Sequence, residues 1–399
     1  MNRRSFVQTL GAGAVGLSAF ESTTLFARGL AQAPAAASVP LAPSLANLIR
    51  IGSNENPYGP APSAIQAVTM ASPGANRYPG PLTQKLVTTI ADKHKVPVEQ
   101  VLLSGGSGDI LAAVVTAFTG KTKALVTGLP SYEAPVRTAK DVGAPLKEIP
   151  LTSELRLDLP KMTAAAAGAG LVYICNPNNP TATAVSASAV TATIEAVVKA
   201  SPATYILVDE AYFEYSDLPG FDTAVPLVAK YPNVIVARTF SKIHGMAGMR
   251  VGYAIAQPKT LEAIRAFHSN SGLSSMSLAA ATASLEDKAH MAEQAVMNRE
   301  VRAMTVAAFE KAGYTVAPSD ANFIFVDIKR DTRRFADSCR KAGVAVGRAF
   351  PPLTNYARIS IGTKAEMEKA IPVFMQVLGA PPNATAYFHT MDDLPTELT

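Results

Sequence analysis
The chain has 399 residues, 48% of them hydrophobic and 17% charged, which is enough to bury a large core and too apolar for a mostly disordered protein. The net charge is +5, with Lys and Arg scattered rather than gathered in a basic run, so a nucleic-acid-binding tract is excluded, and no apolar stretch of about 18 residues predicts a membrane span. Cys175 and Cys339 stand far apart and outside any CxxC spacing, which excludes a disulfide framework and a cysteine-built zinc site; no metal site is expected.

Residues 1–37 read as an export signal. Arg3 and Arg4 are followed by Phe6, then by a short, weakly apolar centre from Leu10 to Phe20 and by Ala35-Ala36-Ala37, an Ala-x-Ala cleavage candidate. The adjacent arginines resemble the twin-arginine variety, which implies a periplasmic or secreted protein; the alternative is a basic N-terminus on a cytoplasmic one. Residues 38–80 are expected to form an N-terminal arm.

From about Leu48 short apolar runs alternate with amphipathic stretches. Strands are predicted at 101–104, 124–127, 171–175, 205–208, 234–237 and 250–255, and helices at 109–118, 132–142, 187–200 and 260–267. This alternation specifies an α/β fold with a mostly parallel sheet covered on both faces. After Ser277 a long helical run reaches about Ala312. Strands at 323–328 and 357–361 then flank a helix at 332–341, and a last helix spans 364–378. The expected organisation is a large domain over 81–290, a smaller α+β C-terminal domain over 291–379 and an irregular tail over 380–399.

In open α/β sheets ligands bind at the carboxyl ends of strands, and four segments fall there. Ser104-Gly105-Gly106-Ser107-Gly108-Asp109 joins a strand to a helix, where free N–H groups suit a phosphate. Asn176-Pro177-Asn178-Asn179-Pro180 forbids regular structure and offers amide groups at fixed positions. Asp209-Glu210-Ala211-Tyr212 ends an apolar strand with a carboxylate that is costly to bury unless it meets a cation. Thr239-Phe240-Ser241-Lys242, followed by a Gly-rich stretch and Arg250, offers an amine that an enclosed site can deprotonate for attack on a carbonyl. Each segment alone is also compatible with a turn, a helix cap or a surface loop. Together they ask for a ligand with an aldehyde, a phosphate and a ring nitrogen facing a carboxylate, and pyridoxal 5′-phosphate fits.

This set resembles the fold-type I PLP-dependent aminotransferases (class I/II), most closely their histidinol-phosphate aminotransferase-like branch. The resemblance runs from Asn54-Glu55-Asn56-Pro57-Tyr58-Gly59 to Arg358-Ile-Ser-Ile-Gly362-Thr363. It implies a large domain with a mostly parallel seven-stranded sheet and a smaller α+β domain. It also implies a ping-pong transaminase passing an amino group between an L-amino acid, or an amino-phosphate such as histidinol phosphate, and a 2-oxo acid. A lyase, decarboxylase or cyclase using the same site is the alternative.

By the same resemblance Lys242 is the catalytic lysine that binds the cofactor and carries the proton. Asp209 faces the ring nitrogen, Tyr212 and Asn179 face the ring hydroxyl, and Tyr132 stacks on the ring. Ser107, Gly108, Ser241 and Arg250 cradle the phosphate, with Thr239 nearby. Tyr78 is implied to reach the phosphate in a neighbouring subunit, making the active unit a homodimer. Arg358 grips the substrate carboxylate, and Asn56 and Asn322 face the substrate. One departure bears on the substrate: histidinol-phosphate enzymes tend to read Gly-x-x-Val-Arg where this chain has Gly343-Val-Ala-Val-Gly347-Arg348, so the arginine lies one place late.

Overall fold
The computed structural model describes residues 48–268 and 272–379; the expected export signal and the tail from 380 lie outside the described residues. Seven strands form the main sheet in the order β2-β8-β7-β6-β5-β3-β4. They are β2 (Val101–Ser104), β3 (Leu125–Leu129), β4 (Leu146–Pro150), β5 (Leu171–Cys175), β6 (Tyr205–Asp209), β7 (Val234–Thr239) and β8 (Gly252–Ile255). Only β8 runs antiparallel to its neighbours.

The central strands are apolar throughout because both faces are covered. Alternate residues go to opposite sides: Val172, Ile174, Ile206, Val208, Val234 and Val236 join one core, packed with Leu86, Ile90, Ile194 and Leu278 from helices. Leu171, Tyr173, Leu207, Ile235 and Ala237 join the other, with Ile110, Val114, Leu261 and Ile264. The period-2 geometry of a strand thus divides one sequence run between two helical layers.

The sequence reading missed β4, whose Leu-Lys-Glu-Ile-Pro pattern is half exposed at the sheet edge and lacks an apolar run. It also missed the helices Pro62–Ala71 and Gly80–His94. Strand β8 starts at Gly252 rather than 250, since Arg250 has a φ of 54° in the left-handed region. The long helical run is two helices, Ser275–Glu286 and Lys288–Lys311. They break at Asp287, whose carboxylate caps the second by accepting the His290 N–H at 3.1 Å and holds the Ser63 hydroxyl at 2.7 Å.

Beyond these, β9 (Thr315–Val316), β10 (Phe323–Asp327) and β12 (Tyr356–Ser360) make an antiparallel sheet in the order β12-β10-β9. It packs with the helices Thr332–Lys341 and Lys364–Leu378 around Phe309, Phe335 and Phe374. The early strand β1 (Ile49–Ile51) pairs in parallel with β11 (Val344–Val346), Ile49 opposite Val344. That pairing brings residues 52–55 alongside Arg358. Among the described residues no helix is long and apolar enough to cross a membrane.

Candidate active site
Strands β5, β6 and β7 end side by side, with Cys175 in register with Asp209 and Asp209 with Ala237. Their loops open on a cavity of about 430 Å³. Asp209 is buried in its wall, accepting the Tyr173 hydroxyl at 2.8 Å and the Ala211 N–H at 3.2 Å. Burial pushes its carboxyl up to about 6 even though both hydrogen bonds favour the ionised form. Both donors are neutral, so the carboxylate has room for a cation in the cavity.

Lys242 follows β7 on a turn anchored by the fully buried Phe240. The turn closes at Gly245, at a φ of 66°, where any Cβ would collide with the Gly59 carbonyl. The Lys242 amine donates to the carbonyls of Asn54 at 3.0 Å and Ser53 at 3.3 Å. Desolvation first, and then the Arg358 charge, lowers it to about 8. About a tenth of this amine is therefore unprotonated at pH 7, far more than of an ordinary lysine.

The helix Ser107–Phe118 presents its N-terminus to the same cavity, with Ser107 and Gly108 in the wall. Gly252 passes so close beneath it that an added Cβ would overlap the Gly106 and Ser107 backbone. Arg250 also lines the cavity, its guanidinium 3.0 Å from the Ala247 carbonyl and 3.4 Å from the Ser241 hydroxyl. Thr239 fixes this loop by accepting the Ser241 N–H at 3.1 Å. Free helical N–H groups, two hydroxyls and a guanidinium make an anion cradle.

Arg358 on β12 is nearly buried, donating to Asn179 Oδ1 at 2.8 Å and the Gly52 carbonyl at 2.7 Å. Its Nε has no partner, and its guanidinium carbon lies 4.8 Å from the Phe350 ring centre. The guanidinium lines the cavity, where its charge suits an anionic ligand. Next to it the Tyr212 hydroxyl accepts N–H groups from Asn54 at 3.1 Å and Asn179 at 3.4 Å. Tyr132, half exposed, completes the wall as a flat apolar face. The lining can therefore hold a phosphorylated, ring-bearing aldehyde together with a carboxylate.

Ten of the residues singled out from sequence thus meet around one cavity: Ser107, Gly108, Tyr132, Asn179, Asp209, Tyr212, Ser241, Lys242, Arg250 and Arg358. Asn56 and Asn322 were expected to face a substrate, but neither lines it. The Asn56 amide is spent on the Ile243 carbonyl at 2.9 Å and on Gln294 at 3.2 Å. The Asn322 amide holds the carbonyls of Asn54 at 3.1 Å and Glu55 at 3.2 Å. Tyr78 is fully exposed on this chain. Arg348, one place late in sequence, still reaches the wall, where it pairs with Glu133 at 2.6 Å and stacks 4.2 Å over Phe350. The turn before it is possible because Gly347 has no Cβ to strike the Arg358 carbonyl. The sequence reading missed Asn54, Tyr173, Glu133 and Phe350, and it assigned no role to Cys175, which lines the cavity. Of the four missed residues, only Asn54 stood inside a quoted motif.

The model of the family "Aminotransferase class I and II" matches residues 46–374. A histidinol-phosphate aminotransferase of Symbiobacterium thermophilum is 33% identical, over 84% of this chain and 92% of that protein. An aromatic amino acid aminotransferase of Thermobifida fusca is 35% identical, over 78% of this chain and 86% of its own. The solved histidinol-phosphate aminotransferase from Sinorhizobium meliloti in complex with pyridoxal-5′-phosphate superposes with a TM-score of 0.78, at 28% identity, covering 91% of this chain and 99% of that one.

Proposed function
This chain belongs to the class I and II aminotransferases, and from that premise we propose that it uses pyridoxal 5′-phosphate to pass an amino group between an L-amino acid, or an amino-phosphate such as histidinol phosphate, and a 2-oxo acid. The observation that carries this reading is the meeting of Lys242, Asp209, Arg250 and Arg358 around one cavity. When bound, the cofactor supplies an aldehyde that takes up the amino group and a protonated ring that draws electrons from the substrate Cα.

Each residue's part follows from its surroundings. Lys242, its amine lowered to about 8, would hold the cofactor through its aldehyde and, when unlinked, would serve as the acid and base at the substrate Cα. Asp209, oriented by Tyr173 and the Ala211 N–H, would hold a proton at the ring nitrogen. Tyr212 and Asn179 would hold the ring hydroxyl, and Tyr132 would cover the ring face. Ser107, Gly108, Ser241 and Arg250 would hold the phosphate, and the Arg358 guanidinium in the same cavity wall would receive the substrate carboxylate. With the cofactor bound, this lining would shield the substrate Cα from water.

The fully exposed Tyr78 supports a homodimer in which it reaches a neighbouring subunit's phosphate group; a fully active monomer by sedimentation would overturn that. Arg3, Arg4 and Phe6 support twin-arginine export, and sequencing the mature N-terminus tests cleavage, an intact Met1 on periplasmic protein contradicting it.

The function itself is tested by an amino-donor screen on purified, cofactor-loaded protein, with histidinol phosphate and the aromatic amino acids included. A true donor converts the yellow enzyme to the pyridoxamine form and releases a carbonyl product, and a 2-oxo acid restores the colour. Release of carbon dioxide or loss of a β-substituent, with the yellow form persisting for every donor, would replace transamination by the lyase chemistry.

A further inference from the structure
One residue touches both the lysine and the tyrosine of the site, and neither composition nor spacing singled it out. Asn54 is buried, and its φ of 55° lies in the left-handed region, which Asn tolerates better than most side chains. That backbone turn points its carbonyl at the Lys242 amine, 3.0 Å away, while its side-chain amide donates to the Tyr212 hydroxyl at 3.1 Å. We propose that Asn54 is a positioning residue, whose carbonyl docks the Lys242 amine whenever it is unlinked and whose amide directs the Tyr212 hydroxyl into the cavity. The inference rests on the roles given above to Lys242 and Tyr212.

The orientation of the amide is fixed by its neighbours. The Ser360 hydroxyl accepts the Asn54 N–H at 2.8 Å, so its own proton goes to Asn54 Oδ1, also at 2.8 Å. Oδ1 is thus an acceptor on the β12 side, and the amide nitrogen must face Tyr212. From the other side Asn322 holds the Asn54 carbonyl at 3.1 Å. The phenol oxygen receives N–H groups from both Asn54 and Asn179, so its own proton turns away from them, towards the cavity. Donors on that oxygen polarise its O–H and make it a stronger donor in turn.

The charges that face these groups come from several strands. Arg358, Asp209 and the Cys175 thiol act on Tyr212, and Arg358, Glu55, Asp209 and Arg250 act on Lys242. None of them bonds the phenol, so the orientation of its hydroxyl falls to Asn54 and Asn179.

The test is a spectrophotometric pH titration of the cofactor-loaded protein, read at the visible band of the lysine-linked nitrogen. A hydrogen bond from Tyr212 stabilises negative charge on the ring oxygen, which then holds the neighbouring nitrogen's proton less tightly. Tyr212→Phe therefore raises the titration midpoint. Asn54→Gly keeps the left-handed backbone and the carbonyl but removes the amide; it is expected to raise the midpoint by a smaller amount, about half a pH unit. In a Tyr212→Phe background the same change is expected to add nothing. A wild-type midpoint in Asn54→Gly, or its full shift added on top of Tyr212→Phe, overturns the inference and leaves the assignment of Tyr212 standing. A wild-type midpoint in Tyr212→Phe overturns both. Should Asn54→Gly fail to load cofactor, Ser360→Ala releases the amide from its clamp without touching Lys242 or Tyr212. It carries the same expectation and the same contrary results.

Discussion
Asp209 shows how far a single residue could be read from sequence. A carboxylate after an apolar strand predicts a buried acid in need of a cation, and the structure buries it against two neutral donors. Its pKa is raised from 3.8 to about 6 in the chain without cofactor. Between those values the folded chain holds more protons than the unfolded one, so the residue costs stability progressively as pH rises, up to about 3 kcal/mol above pH 6. Asp209→Asn abolishes that cost. Melting of both cofactor-free proteins across pH 4 to about 7 is therefore expected to show the variant gaining on the wild type as pH rises. A constant difference would contradict the burial assigned to this group. The buried His94 and His244, both lowered to about 3, push stability the opposite way, but they are common to both proteins and cancel in the difference. Lys242 and Arg250 were legible for the same reason as Asp209, since strand-end chemistry is written locally. Tyr173 was not, because its role depends on a strand register that brings its hydroxyl to Asp209.

At the scale of elements, apolar periodicity identified the interior strands and several helices of the large sheet, and three helices, Ala187–Ala200, Thr332–Lys341 and Lys364–Leu378, match their sequence bounds. It failed where an element is polar by position. Edge strand β4 carries Lys147 and Glu148 on a half-exposed run, and the break at Asp287 depends on one cap inside an otherwise continuous helical pattern. Close packing was equally hidden. Gly252 on β8 lies against the backbone that starts the helix Ser107–Phe118, so Gly252→Ala must push that helix start away. The expected result is a loss of about 1–3 kcal/mol in stability, with cofactor affinity weakened more than tenfold because Ser107 and Gly108 shift with it. Equilibrium unfolding and cofactor titration check both; unchanged cofactor affinity would separate this helix from phosphate binding.

On the scale of the whole molecule, the site depends on a chain path that local patterns did not reveal. The pairing of β1 with β11 returns the start of the described chain to the C-terminal segment. Residues 52–55 then lie across Lys242 and Arg358 at once, through the carbonyls of Gly52, Ser53 and Asn54. The seven-stranded sheet supplies Asp209 and Lys242, β12 supplies Arg358, and the early segment holds them together. Asn56 and Asn322, expected to face a substrate, brace this segment and do not line the cavity, a placement that depends on the chain path rather than on the local motif. The central claim is that Lys242 carries the cofactor and surrenders it to an amino donor. Borohydride reduction of the loaded enzyme followed by peptide mass mapping tests it most directly. The expected result is the cofactor's mass on the peptide containing Lys242, no such label when a productive amino donor is added before the borohydride, and the label again when a 2-oxo acid follows the donor before reduction. A label on another lysine, or a label on Lys242 that no amino donor added before reduction prevents, would contradict it.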